Sequence, residues 1–139
     1  MRGVSYIHLL LFGRKKREKI KMVSELSEQI FLAKKLKAAG ILFCAVPNGG
    51  YRQKKEAGNL KASGVVPGVP DLLIFDVPPG ELGKVGCAVE MKREGGKRGS
   101  VSEAQREWLQ WLEDRNWVSL VGFGWRDAVE KLQALGYRV

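Results

Sequence analysis

Histidine is almost absent from this chain: its 139 residues hold one, His8, in a short apolar stretch near the N-terminus. Ser-His, Cys-His and histidine-ligated zinc chemistry are thereby excluded from residues 22–139. No G-x-x-x-x-G-K-[ST] run occurs, so phosphate binding of the P-loop type has no support. Cysteine is scarce as well. Cys44 and Cys87 lie in apolar stretches with no secretory signal pattern ahead of them, and they read as two reduced core residues. The apolar run Val4–Phe12 falls short of the about 20 residues that cross a membrane. Basic residues follow that run instead of preceding it, which is unlike a signal peptide. Internal repeats and low-complexity tracts are missing too. An enzyme with this composition must work with carboxylates, lysines and oxygen-bound metal, which points to phosphodiester hydrolysis.

What is present in excess is positive charge, +9 overall. Seven of the 24 lysines and arginines (Arg2, Arg14, Lys15, Lys16, Arg17, Lys19, Lys21) and one of the 15 acids, Glu18, fall in residues 1–21. That leaves 17 bases against 14 acids, or +3, over residues 22–139. Residues 1–21 thus form a basic extension, and they stand outside the native protein if Met22 is the true start. A basic run of this kind attracts phosphate backbones without regard to sequence, or is simply a solvated tail. Residues 22–139 suit one domain with a single core.

Residues 24–39 read as a helix, with Ser24 as N-cap, Glu25 and Glu28 in the first turn and Gly40 closing it. Ile41–Val46 reads as a strand, followed by a Gly-, Lys- and Arg-rich loop over residues 47–68. Val69–Val77 and Val85–Lys92 form a hairpin around the turn signal Pro78-Pro79-Gly80. Gly95, Gly96 and Gly99 mark a further loop that also carries Lys97 and Arg98. Ser102–Arg115 is a helix opened by an S-x-x-Q capping box, Trp117–Val121 a strand, and Trp125–Leu135 a final helix. The order is α-β-β-β-α-β-α, a mixed α/β layout with the sheet flanked by helices. Trp108 and Trp111, one turn apart, read as core or dimer-interface residues.

With the hairpin turn centred at Gly80–Glu81, residues whose numbers add to 161 lie opposite one another, so Asp71 faces Glu90. Directly opposed residues have Cβ atoms about 4.5–5.5 Å apart. Lys92 shares the face of Glu90 by strand alternation. Two carboxylates and a lysine thus meet at the open end of the hairpin. Adjacent carboxylates repel unless neutralised, and a hard divalent cation with oxygen ligands would do that. On spacing alone the structural alternative weighs equally: strand-end charges at Glu90 and Lys92, with Asp71 capping the turn after Pro70.

At these residues the chain resembles a known family. Gly68-Val69-Pro70-Asp71 followed by Val89-Glu90-Met91-Lys92 is similar to the PD-(D/E)XK nuclease signature. Pro47-Asn48-Gly49-Gly50, Leu60 to Val65, Ser102-x-x-Gln105 and Trp108-Leu109 narrow the resemblance to the VRR-NUC branch, over roughly residues 24–135. The resemblance implies a restriction-endonuclease-like core and a metal-dependent endonuclease that hydrolyses DNA with Mg2+ or Mn2+. It implies Asp71 and Glu90 as metal ligands, joined by the backbone carbonyl of Met91, with Lys92 assisting the attacking water. A first-helix acid is implied too; Glu28 is the choice and Glu25 its rival, and both have a plain role as N-terminal helix acids. Gln105 matches the family's glutamine, beside its role in the capping box. Asn48, Arg52, Lys54, Lys55 and Lys61 are candidate phosphate contacts. Stand-alone phage and bacterial members are similar to homodimeric resolvases of branched DNA, including four-way junctions. The partners so implied are branched DNA and a second copy of the chain, in the cytoplasm, with no membrane and no small-molecule cofactor. The competing expectation is a catalytically silent nucleic-acid-binding module with a nuclease-like fold.

Overall fold

The computed structural model describes residues 23–47 and 54–139. The basic extension 1–21 and two candidate contacts, Asn48 and Arg52, lie outside the described residues. The elements are α1 (Glu25–Ala38), β1 (Phe43–Ala45), α2 (Lys54–Ala62), β2 (Leu72–Ile74) and β3 (Gly86–Lys92). After a 3-10 turn (Arg98–Ser100) come α3 (Glu103–Glu113), β4 (Trp117–Phe123) and α4 (Trp125–Ala134). The strands form one sheet in the order β1-β2-β3-β4, antiparallel except for the parallel pair β3–β4. This is a mixed α/β fold with a four-stranded sheet flanked by helices. Among the described residues no helix is long and apolar enough to cross a membrane.

Two of the helices begin at a local side-chain hydrogen bond. Ser24 Oγ accepts the Ser27 N–H at 3.1 Å at the start of α1. Ser102 and Gln105 exchange both bonds of a capping box at the start of α3. The addition to the expected order is α2, which occupies the middle of the segment read as a loop. Its exposed run around Gly58 has no apolar stripe, so periodicity carries no signal of it.

The β2–β3 ladder pairs Leu72 with Val89, Leu73 with Ala88 and Ile74 with Cys87, the register that places Asp71 opposite Glu90. Strand β3 is buried along its whole length. Its alternation sends Cys87, Val89 and Met91 into the main core with Leu32 and Leu36 of α1, Leu72 and Ile74 of β2, and Ala128 and Leu132 of α4. Glu90 and Lys92 therefore point to the opposite face, where Gln105 of α3 meets them. Cys87 lies in the core, and burial pushes its thiol up to about 12, which keeps it protonated and inert. Cys44 departs from expectation: it is exposed on the edge strand β1. Both cysteines are free.

Candidate active site

Asp71 stands one residue before β2, at the next position of the hairpin register. Its approach is set by Gly68, whose φ of +90° disfavours any side chain. A Cβ there would come within 2.6 Å of the Ala104 carbonyl oxygen in the first turn of α3. The Gly-Val-Pro-Asp segment is thus laid directly against the helix that carries Gln105. Pro70 is buried behind Asp71, and the Asp71 carbonyl accepts the Val46 N–H at 2.9 Å. The Asp71 carboxylate is held by one bond in particular: Oδ2 accepts the Met91 N–H at 2.7 Å.

Glu90 and Lys92 are 2% and 6% exposed, so neither charge is a solvated strand end. Lys92 Nζ lies 3.3 Å from Glu90 Oε1 and 3.8 Å from Glu25 Oε1, and donates to Gln105 Oε1 at 3.2 Å. Gln105 Nε2 donates to Glu90 Oε1 at 2.5 Å, while its Oε1 also accepts the Ser102 N–H at 2.8 Å. One amide therefore closes the capping box of α3 and holds both charged side chains of β3. Burial is the main cause that raises the Glu90 carboxyl to about 7; the neighbouring Asp71 charge adds to it, and Lys92 opposes both. The Asp71 carboxyl is also raised, first by burial, against the lowering effects of the Met91 N–H and Lys92.

These groups line a cleft of about 600 Å³, walled by Glu25, Gln29, Pro47, Asp71, Glu90, Lys92 and Gln105 among others. Three carboxylates face one ammonium there, an excess of negative charge at neutral pH once Glu90 is ionised. Such a site can hold a hard cation between Asp71 and Glu90, and it can present Lys92 as a hydrogen-bond donor.

Glu28 requires a correction. It lies outside this cleft, 2% exposed, and its Oε2 accepts the Trp125 N–H at 2.7 Å. The physical reason is that α4 starts after Gly124, which has no side chain to cap it, so the carboxylate of Glu28 serves the N-terminus of α4. The first-helix acid at the cleft is Glu25. Two signals in the sequence separate them: Glu28, Leu32 and Leu36 form one buried stripe at i, i+4, i+8, and Gly124 leaves the last helix without a cap. Among the proposed contacts, Lys61 is exposed on α2; Lys54 and Lys55 open that helix, but their side chains lie outside the described residues.

The VRR-NUC domain family model matches residues 23–121, most of the chain and all of the cleft residues named above. Among solved structures, a VRR_NUC domain protein superposes with a TM-score of 0.65 over 86% of this chain and 91% of that one, at 22% identity. None of the curated proteins matches the sequence. With Asp71, Glu90, Met91, Lys92 and Gln105 gathered in one cleft and the family model matching most of its length, the chain belongs to the VRR-NUC domain family, whose fold is nuclease-like.

Proposed function

We propose that the protein is a metal-dependent endonuclease that hydrolyses DNA phosphodiester bonds, with branched or four-way-junction DNA as its preferred substrate. The observation that carries this reading is the cluster of buried Glu90 and Lys92, bridged by Gln105, with half-buried Asp71 opposite, held by the Met91 N–H. Two carboxylates that share a partly buried site, both with a raised proton affinity, suit a divalent cation better than they suit each other. Among the described residues no three His, Cys, Asp or Glu side chains form a metal-binding group. In this reading the donor set is Asp71 and Glu90 with the Met91 carbonyl and water, which suits Mg2+, a cation bound by one or two carboxylates that keeps several waters. When bound, Mg2+ or Mn2+ would lower the pKa of a water and stabilise the charge that develops on the phosphate.

The rest of the chemistry belongs to this chain's own side chains. Lys92 directs its ammonium at the cleft and donates to the attacking water or to a phosphate oxygen as charge builds there. Gln105 fixes Lys92 and Glu90 in one geometry, so neither has to reorganise during the reaction. Asp71 is held by the Met91 N–H so that its second oxygen stays free for the cation. Glu25 faces the same ammonium from α1 and helps to orient it.

A homodimer is part of the reading. Trp108 and Trp111 pack edge to face with centroids 5.7 Å apart on α3, and Trp111 remains 46% exposed beside Val66 and Pro67. Paired across a two-fold axis, two such faces would carry two clefts to two strands of a junction.

The test is a cleavage assay on labelled linear, flap and four-way-junction DNA with Mg2+, Mn2+ or chelator, beside Asp71→Ala. Metal-dependent cutting of the junction, absent in the variant, is the expected result. Binding without cutting under every condition would favour a catalytically silent module.

A further inference from the structure

Next to the cleft lies a second recess, of about 370 Å³, walled by Glu25, Lys92, Arg93, Gly95, Gly96, Lys97, Gly99 and Ser100. Glu25 and Lys92 line both, so the two share a wall. Where the cleft gathers carboxylates, the loop after β3 gathers bases: Arg93, Lys97 and Arg98 against one acid, Glu94. All four are exposed, and among the described residues none of the three bases enters an ion pair. Stability gives no reason to collect three unpaired cations in six residues, and like charges this close repel.

The backbone of the loop is bare on this side. Gly95 has a φ of +73°, and a Cβ there would meet nothing within 4 Å; the same space is open at Gly99. Gly96 is held close, because a Cβ would come within 3.1 Å of Phe123 Cδ1. Backbone without side chains lets a phosphate approach closely, and cations at the rim draw it in.

We propose that this recess seats the phosphodiester next to the one being cut, with Lys97 and Arg93 as its cationic contacts. The proposal rests on the nuclease reading for the identity of the strand. With one phosphate at Asp71 and Glu90, the strand passes Lys92 and its neighbouring phosphate enters the glycine-lined recess. A positively charged seat beside a carboxylate-rich cleft also holds the strand against the repulsion those carboxylates exert before a cation binds.

The experiment has two arms. In chelator, where no cutting occurs, duplex binding by the full chain is followed against salt for the wild type, Lys97→Ala and Arg93→Ala. Each substitution is expected to reduce the slope of log K against log salt by about 0.9, the loss of one phosphate contact. Lys37→Ala, at the far end of α1 and about 20 Å from Glu25, should leave it unchanged. An unaltered slope in both loop variants, or an equal fall in all three, overturns the proposal. In the second arm single methylphosphonates are placed along the cut strand. One position adjoining the cut bond should weaken wild-type binding about tenfold and Lys97→Ala hardly at all. Equal losses in both proteins at every position would also overturn it. Cleavage of unmodified DNA by the wild type reports separately on the nuclease reading, so the two can fail independently.

Discussion

Gln105 Nε2 lies 2.5 Å from Glu90 Oε1, and the same amide accepts from Lys92 Nζ and from the N-cap amide of its own helix. The start of α3 and the chemistry at the end of β3 are thus one hydrogen-bonded unit. Gln105→Ala removes the bridge and the side-chain half of the capping box together, while Ser102 still accepts the backbone N–H of residue 105. Loss of a hydrogen-bond partner at buried Glu90 and Lys92 costs about 1–3 kcal/mol, so a fall of several degrees in Tm is expected, with a larger proportional loss in cleavage rate than in DNA affinity. Gln105→Glu keeps an acceptor for the Ser102 N–H but sets a second carboxylate against Glu90. Cleavage should fall further than thermal stability does; equal behaviour of the two variants in both measurements would count against the bridging role.

Lys92→Ala should lower the single-turnover cleavage rate by about 10²- to 10⁴-fold, the range for removal of a positioned proton-handling or charge-stabilising group. DNA affinity, read by fluorescence anisotropy in chelator, should stay close to that of the wild type. A parallel loss of binding and cutting would mean that Lys92 holds DNA rather than assisting the reaction.

The pH dependence of stability follows from the raised carboxyls. Glu90 goes from its ordinary value of 4.5 to about 7 in the folded protein, and Asp71 is raised in the same direction. The folded state then binds protons more tightly than the unfolded one, so stability falls as pH rises through this window. The contribution is complete below pH 4.5 and is lost as pH passes about 7. Chelated protein should therefore melt lower at pH 7.5 than at pH 5.5, and Glu90→Gln should flatten the trend. Mg2+ or Mn2+ competes with these protons, so its stabilising effect should grow over the same interval. A Tm that climbs from pH 5.5 to 7.5 in chelator and is indifferent to Glu90→Gln would contradict this account.

Glu28→Ala and Glu25→Ala should separate cleanly. The first leaves the partly buried Trp125 N–H without its acceptor and is expected to cost about 1–3 kcal/mol of stability, read by denaturant titration. Its folded fraction should cut DNA at the wild-type rate. The second removes a half-exposed side chain from the cleft, with little effect on stability and a reduced cleavage rate. Reversal of this pattern would return Glu28 to the cleft.

Much of this was legible from local signals. Ser24 and the Ser102–Gln105 box mark helix starts because capping acts within three residues. Alternation along Gly86–Lys92 separates Val89 and Met91 from Glu90 and Lys92 because a strand repeats every two residues. The turn at Gly80 places Asp71 against Glu90 through the same arithmetic. Cys44 was misjudged because an apolar strand carries no mark of lying at the sheet edge, and α2 escaped because a solvent-exposed helix leaves no apolar stripe.

By itself the sequence determined the order of elements other than α2, the hairpin register and the family signature, all of which rest on interactions between near neighbours or on a single turn. Only the tertiary structure decided which acid of α1 reaches the cleft, since Glu28 is bound by an amide 97 residues away and Glu25 by a lysine on the central strand. It likewise decided that one glutamine serves a cap, a carboxylate and an ammonium at once, and that the glycine-rich loop opens beside the cleft. These depend on which faces of distant elements pack together, and the free energy of that packing is shared across the whole core rather than written in any one segment.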